Sequence, residues 1–175
     1  MFSKSRTRLI AATILTIFVL SFAALAQRKG QEPRNFSLRA LDGPAVTDQS
    51  LRGEVVVLAF GPSWLPLSRQ QLEGIKKFAD EYSARGVAVY WVSTDSDSAK
   101  SRNYASDAQL RTLADKYKVT VLRDPEAQVS RQFGVDQLPA IVILDKQGNV
   151  STVIGGMDPA TNLTEQLAPR LKTIL

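Results

Sequence analysis

The chain has 175 residues, 44% hydrophobic and 22% charged, with no repeat or low-complexity tract, which is one ordinary domain with enough material for a core. Three of its 22 basic residues (Lys4, Arg6, Arg8) lie in the first 26 positions, which hold no acid, so the formal +5 falls to 19 basic against 17 acidic residues beyond them. Without a basic face, nucleic acid is excluded as a partner, and with neither Cys nor His, structural disulfides, thiol redox chemistry, His-ligated metals and Ser/His/Asp triads are excluded too.

The N-terminus starts basic, runs through eighteen uncharged residues from Leu9 to Ala26, and reaches Gln27-Arg28-Lys29. This pattern reads either as a secretory signal peptide cut after Ala24-Leu25-Ala26 or as an uncleaved membrane anchor over residues 9–26. Both place the domain outside the cytoplasm, as a soluble periplasmic or extracytoplasmic protein or as an anchored one. Residues 27–35, polar with Pro and Gly, read as a linker, and 36–175 as the domain. Asn35 and Asn162 match the glycosylation acceptor pattern, which matters only in an organism that glycosylates exported proteins.

Within the domain, Phe36, Leu38, Leu41 and Val46 suggest short strands broken by Asp42-Gly43-Pro44. Six consecutive apolar residues, Val55 to Phe60, predict a central strand buried on both faces. Pro66 suits the first position of a helix, and Leu72, Ile75, Phe78, Ala79 and Tyr82 keep one of its faces apolar as far as Gly86. Val87 to Val92 predicts the next strand. Ser106-Asp107-Ala108-Gln109 has the form of a capping box opening a helix with Leu110, Leu113, Ala114 and Tyr117.

After Val119 to Leu122, Asp124-Pro125 is expected to start a short helix ending near Phe133-Gly134. Ala140 to Leu144 and Val150 to Ile154, separated by "DKQGN", predict an antiparallel hairpin. Gly155-Gly156 ends it, Asp158-Pro159 is expected to cap the last helix, and Leu163, Leu167 and Leu171 line its buried side. The early βαβ order implies parallel neighbours and the late hairpin an antiparallel edge: an α/β fold whose mixed sheet carries helices on both faces.

Four segments together, "VVVLAFGPSWLPLSRQQLEGIKKFADEY", "VSTDSD", "LRDPEAQVSRQFGV" and "GVDQLPAIVILDKQGNV", resemble the thioredoxin-like superfamily over residues 33 to 173. The resemblance is to exported thiol-disulfide oxidoreductases of the cytochrome c maturation type and to the alkyl hydroperoxide reductase/thiol-specific antioxidant group. It implies a thioredoxin-like fold and, at the turn after the central strand, a Trp-Cys-x-x-Cys motif. Here Trp64 matches the Trp, Leu65 stands at the nucleophilic Cys and Ser68 at the resolving Cys. Ala59 stands where many thioredoxins place a buried acid or amide.

The macrodipole and free N–H groups at a helix N-terminus favour a thiolate, and Leu65 can use neither. The Ser68 hydroxyl has no adjacent base and reads as a helix-start residue. No catalytic residue, metal site or cofactor is therefore assigned. What the resemblance leaves is a surface for a protein or an extended peptide: Trp64, Leu65, Pro66 and Ser68, the Leu138-Pro139 loop, whose bond is expected to be cis, and Gly155. Leu65 is expected to be partly exposed beside Trp64 and Leu138. Trp64 reads equally well as an aromatic that closes the turn, Leu67 as one that packs inward, and Asp95, Asp97 and Asp107 as helix caps rather than metal ligands. The competing functions are the family's oxidoreductase or antioxidant activity, which the missing thiols oppose, and an accessory subunit anchored in a membrane complex. Nothing in the sequence assigns an oligomeric state.

Overall fold

A computed structural model describes residues 35–158 and 161–175; the expected leader, and the linker up to residue 34, lie outside them. The elements run β1 (Ser37–Ala40), β2 (Val46–Thr47), β3 (Val55–Gly61), α1 (Pro66–Tyr82), a 3-10 turn (Ser83–Arg85), β4 (Val87–Ser93), α2 (Asp107–Tyr117), β5 (Thr120–Arg123), α3 (Gln128–Gln132), β6 (Ala140–Leu144), β7 (Val150–Gly155) and α4 (Leu163–Leu171).

The strands form one mixed sheet in the order β2-β1-β5-β4-β3-β6-β7. β3, β4 and β5 are parallel, while β1 joins β5 and β6 joins β3 antiparallel, and β7 closes the far edge as the second arm of the β6 hairpin. This is the expected thioredoxin-like α/β architecture. β3 is apolar throughout because alternate side chains enter two cores. Val55, Val57 and Ala59 pack with Leu72, Ile75 and Phe78 of α1, Leu110 of α2 and Leu163, Leu167 and Leu171 of α4. Val56, Leu58 and Phe60 pack on the other face with Phe36, Leu38, Val129 and Phe133. Helices thus cover both faces unequally: α1, α2 and α4 on one, short α3 on the other.

Local chemistry explains most boundaries. Pro66 opens α1 at its first position, and Gly86, at φ 78, ends the following turn in the left-handed conformation that glycine adopts without strain. Ser106 and Gln109 form the expected reciprocal capping box on α2.

Two expectations need correction. α3 begins at Gln128, not at Asp124-Pro125; the Asp124 carboxylate reaches forward to accept the Val129 and Ser130 amides at 3.1 and 2.8 Å. The cap of α4 is Asn162, whose side chain accepts the Thr164 amide at 2.9 Å. Asp158 instead closes a preceding turn, its carbonyl taking the Thr161 amide and its carboxylate the Thr161 hydroxyl. Among the described residues no helix is long and apolar enough to cross a membrane.

Candidate functional site

Sheet register brings the Trp64 turn and the Pro139 loop to one edge. Phe60, one residue before the end of β3, is paired with Ala140, the first residue of β6, and Ala140 is paired in turn with Gly155. The chain leaving β3 and the chain entering β6 therefore meet at one end of the sheet. The Leu138-Pro139 bond is cis, as expected.

The turn is closed by local backbone bonds. The Leu65 amide donates to the Pro62 carbonyl at 3.3 Å, and the Leu65 carbonyl accepts the Ser68 amide at 3.0 Å and the Arg69 amide at 3.4 Å. Leu65 is the N-cap of α1, with φ −75° and ψ 125°, and gives no side-chain cap. This is the geometry in which a polar side chain at 65 would serve the helix end, and leucine cannot.

The expected site residues do not all reach the surface. Trp64 is 58% and Leu138 36% exposed, two of the four large apolar side chains that stand out from the described surface. Leu65 is half-buried and Pro66 exposed. Ser68 is fully buried, so the hydroxyl faces inward and not toward a ligand on the turn. Pro139 is buried as well, next to the exposed Leu138. Gly155 lies under the loop before Pro139: a Cβ on it would meet Asp136 Oδ1 at 3.2 Å and Gln137 Cβ at 3.5 Å. Leu67 is half-buried, and Ala59 lies in the interior of β3 with no carboxylate in its place.

Two features escaped the sequence reading. Gln71, buried on the apolar face of α1, donates through Nε2 to the Ala140 carbonyl at 2.9 Å and so ties the helix to the residue after Pro139. A polar residue between Ser68 and Leu72 on an otherwise apolar face was the available signal. The second is Asp95, which caps no helix. Its carboxylate accepts the Ser63 amide at 2.8 Å, the Ser63 hydroxyl at 3.1 Å and the Ser93 hydroxyl at 2.8 Å.

Farther along the same sheet end lies a charge cluster. Asp107, in the first turn of α2, takes a bidentate bond from Arg39 at 2.9 Å and a 2.6 Å contact from the buried Arg123. The Arg39 guanidinium, with Arg123 behind it, holds the Asp107 carboxyl well below the usual carboxylate range, and Asp107 in turn raises Arg39. Among the described residues no group of acidic side chains is arranged to hold a metal ion.

Residues 30–153 match the AhpC/TSA family. The chain is similar to thioredoxin-like protein YneN of Bacillus subtilis, 28% identical over 144 residues that cover 80% of this chain and 79% of that protein. It is also similar to thiol-disulfide oxidoreductase ResA of Bacillus thuringiensis subsp. konkukian, 24% identical over 79% of this chain and 76% of that one. Among solved structures, one described as a thiol:disulfide interchange protein DsbE from Chlorobium tepidum superposes with a TM-score of 0.68 at 26% identity, covering 83% of this chain and 96% of that chain. A family match over most of the domain, a thioredoxin-like sheet and a cis-proline loop beside the turn after β3 agree: this chain is a member of the AhpC/TSA family of thioredoxin-like proteins, one that lacks the thiols at its motif.

Proposed function

We propose that this protein is a redox-inactive thioredoxin-like module that works outside the cytoplasm and binds a protein segment or an extended peptide at the Trp64 turn. The observation that carries the reading is the pair Leu65 and Ser68, standing where relatives of this kind have cysteines, next to an exposed Trp64. Thiol-disulfide exchange transfers electrons through a thiolate, and a chain without cysteine has none to offer. Trp64 and Leu138 supply apolar contact, half-buried Leu65 lies between the turn and the helix, and buried Pro139 and Gln71 brace the edge. Exposed tryptophan is enriched at binding surfaces because it offers large contact area at small entropic cost. The leader-like residues 9–26 support an extracytoplasmic location, either free or anchored.

The competing reading is the oxidoreductase activity that the names of ResA and DsbE carry. One experiment separates them. The purified protein is incubated with a protein disulfide plus a small-thiol reductant, and with hydrogen peroxide, while a photoreactive amino acid at Leu65 is challenged with a library of unstructured peptides. Blank rates in the first assays, with saturable peptide crosslinking at 65 and none at an exposed control such as Lys172, support the module. Turnover above blank, or crosslinking equal at both positions, overturns it.

A further inference from the structure

Ser63 and Asp95 lie 32 positions apart and share two hydrogen bonds at the base of the Trp64 turn. We propose that Asp95 is the positioning residue of this turn, the group that decides how Trp64 is presented; the proposal rests on reading the turn as a binding surface.

Asp95 is 1% exposed. A carboxylate taken out of water must be satisfied by donors, and here these are one amide and two hydroxyls, from Ser63 and Ser93. Its own backbone is held from the far side, where Arg123 donates to the Asp95 carbonyl at 3.2 Å, and Arg123 is pinned in turn by Asp107. The acceptor is thus fixed before the turn is considered. The turn itself is loosely closed: the Leu65 amide reaches Pro62 at 3.3 Å and Leu65 provides no cap. Of the bonds that hold residues 62–65 to the rest of the protein, the one from the Ser63 amide to the Asp95 carboxylate, at 2.8 Å, is the shortest, and it involves a charged group, which is the stronger kind. The backbone that follows Asp95 meets a second loop, the Ser96 amide donating to the Asn103 carbonyl at 2.9 Å beside Tyr104, another exposed aromatic. Asp95 therefore anchors Ser63, the residue before Trp64, to the chain leaving β4.

The test needs no partner, so its failure is distinct from failure of the binding reading. Amide hydrogen exchange is measured by NMR on the full chain for wild type, Asp95→Ala, Asp95→Asn and Ser93→Ala. In Asp95→Ala the Ser63 and Leu65 amides, the two in the turn that are hydrogen-bonded, should exchange roughly tenfold faster or more relative to Val57 and Val142 in the sheet. Asp95→Asn retains one acceptor for the Ser63 amide and should fall between wild type and Asp95→Ala, and Ser93→Ala should loosen the same amides by a smaller factor. Should Asp95→Ala not fold, the Asn and Ser93 variants carry the test. Uniform acceleration across the sheet and the turn, or unchanged Ser63 exchange in the variants that fold, overturns the proposal.

Discussion

Gly61 and Ser68 compete for one volume: a Cβ built on Gly61 would lie 2.5 Å from Ser68 Oγ and 3.2 Å from Ser68 Cβ. The end of β3 and the first turn of α1 can approach this closely only because residue 61 has no side chain. Ser68 Oγ, fully buried in that contact, has no hydrogen-bond partner among the described residues. Gly61→Ala should therefore destabilise the protein by about 1–3 kcal/mol, the usual range for overpacking. Ser68→Ala alone should change stability by less than about 1 kcal/mol, because it removes a hydroxyl that gains nothing from burial. Placed together, the two changes should be less destabilising than their sum, since the 2.5 Å approach disappears and the 3.2 Å one remains. Denaturant midpoints of the four proteins check this.

Among the described residues, Gln71 is the side chain of α1 that hydrogen-bonds the residue after Pro139. Gln71→Ala leaves the Ala140 carbonyl in a buried setting without that donor, at a cost of about 1–3 kcal/mol. For a domain of this size that is a fall in Tm of roughly 2–4 °C per kcal/mol. Gln71→Glu should be worse still, because it replaces the donor with a buried charge. Thermal unfolding of both variants reads the effect directly.

Asp107 gives the protein a specific acid response. Its native carboxyl is held below the ordinary range by Arg39 and then by Arg123. A depressed carboxylate contributes stability that is fully present above its unfolded pKa, near 4, and is lost as pH falls through the native value. The difference in Tm between wild type and Asp107→Asn should therefore be largest near neutrality and should shrink as pH is lowered below about 4. Arg39 is half-exposed, so 0.5 M salt should reduce part of the difference at neutral pH. A gap that widens on acidification would show that the pair does not act in this way.

Leu65→Asp separates surface from core. The substitution puts a charge on the turn and should abolish apolar binding there. It also places a good N-cap at the start of α1, where Leu65 makes no side-chain cap. The gained cap offsets the lost burial of a half-buried leucine, so Tm should stay within a few degrees of wild type while peptide affinity, read by titration of a labelled peptide, falls at least tenfold. A collapse of Tm would mean that Leu65 is a core residue and that the surface has lost its centre.

Much of the fold was legible because its signals are local or periodic. The six apolar residues of β3, the capping box at Ser106, Pro66 at a helix start and the short link before β7 each state their structure within a few positions. Leu138-Pro139 was legible through its place in a recurring motif. The rest depended on partners far away in sequence. Nothing near Asp95 announces that it will receive Ser63, and nothing near Gln71 points to Ala140, 69 positions on. Burial was misjudged for the same reason: Ser68 and Pro139 look like surface residues of a binding turn, yet packing against Gly61 and against the sheet end takes both inside. Asn162 and not Asp158 caps α4 because the helix begins at Leu163, which leaves Asp158 four residues short of the cap position.

The central claim is that the Trp64 turn keeps the geometry of a thiol-disulfide site while its side chains have removed the chemistry. The double change Leu65→Cys and Ser68→Cys tests it most directly. Position 65 is the N-cap and 68 the third residue of the same helix, three apart and within disulfide reach. A thiol at 65 sits at the helix N-terminus, so its pKa should fall below the free value of about 8.5. The measurement is a thiolate absorbance titration of the reduced double variant, followed by a free-thiol count on the monomer after mild oxidation. The account predicts a lowered first pKa and complete loss of free thiols through an internal disulfide, with slow turnover because Ala59 provides no buried proton acceptor. Two thiols that stay free, or that pair only between molecules, would contradict it.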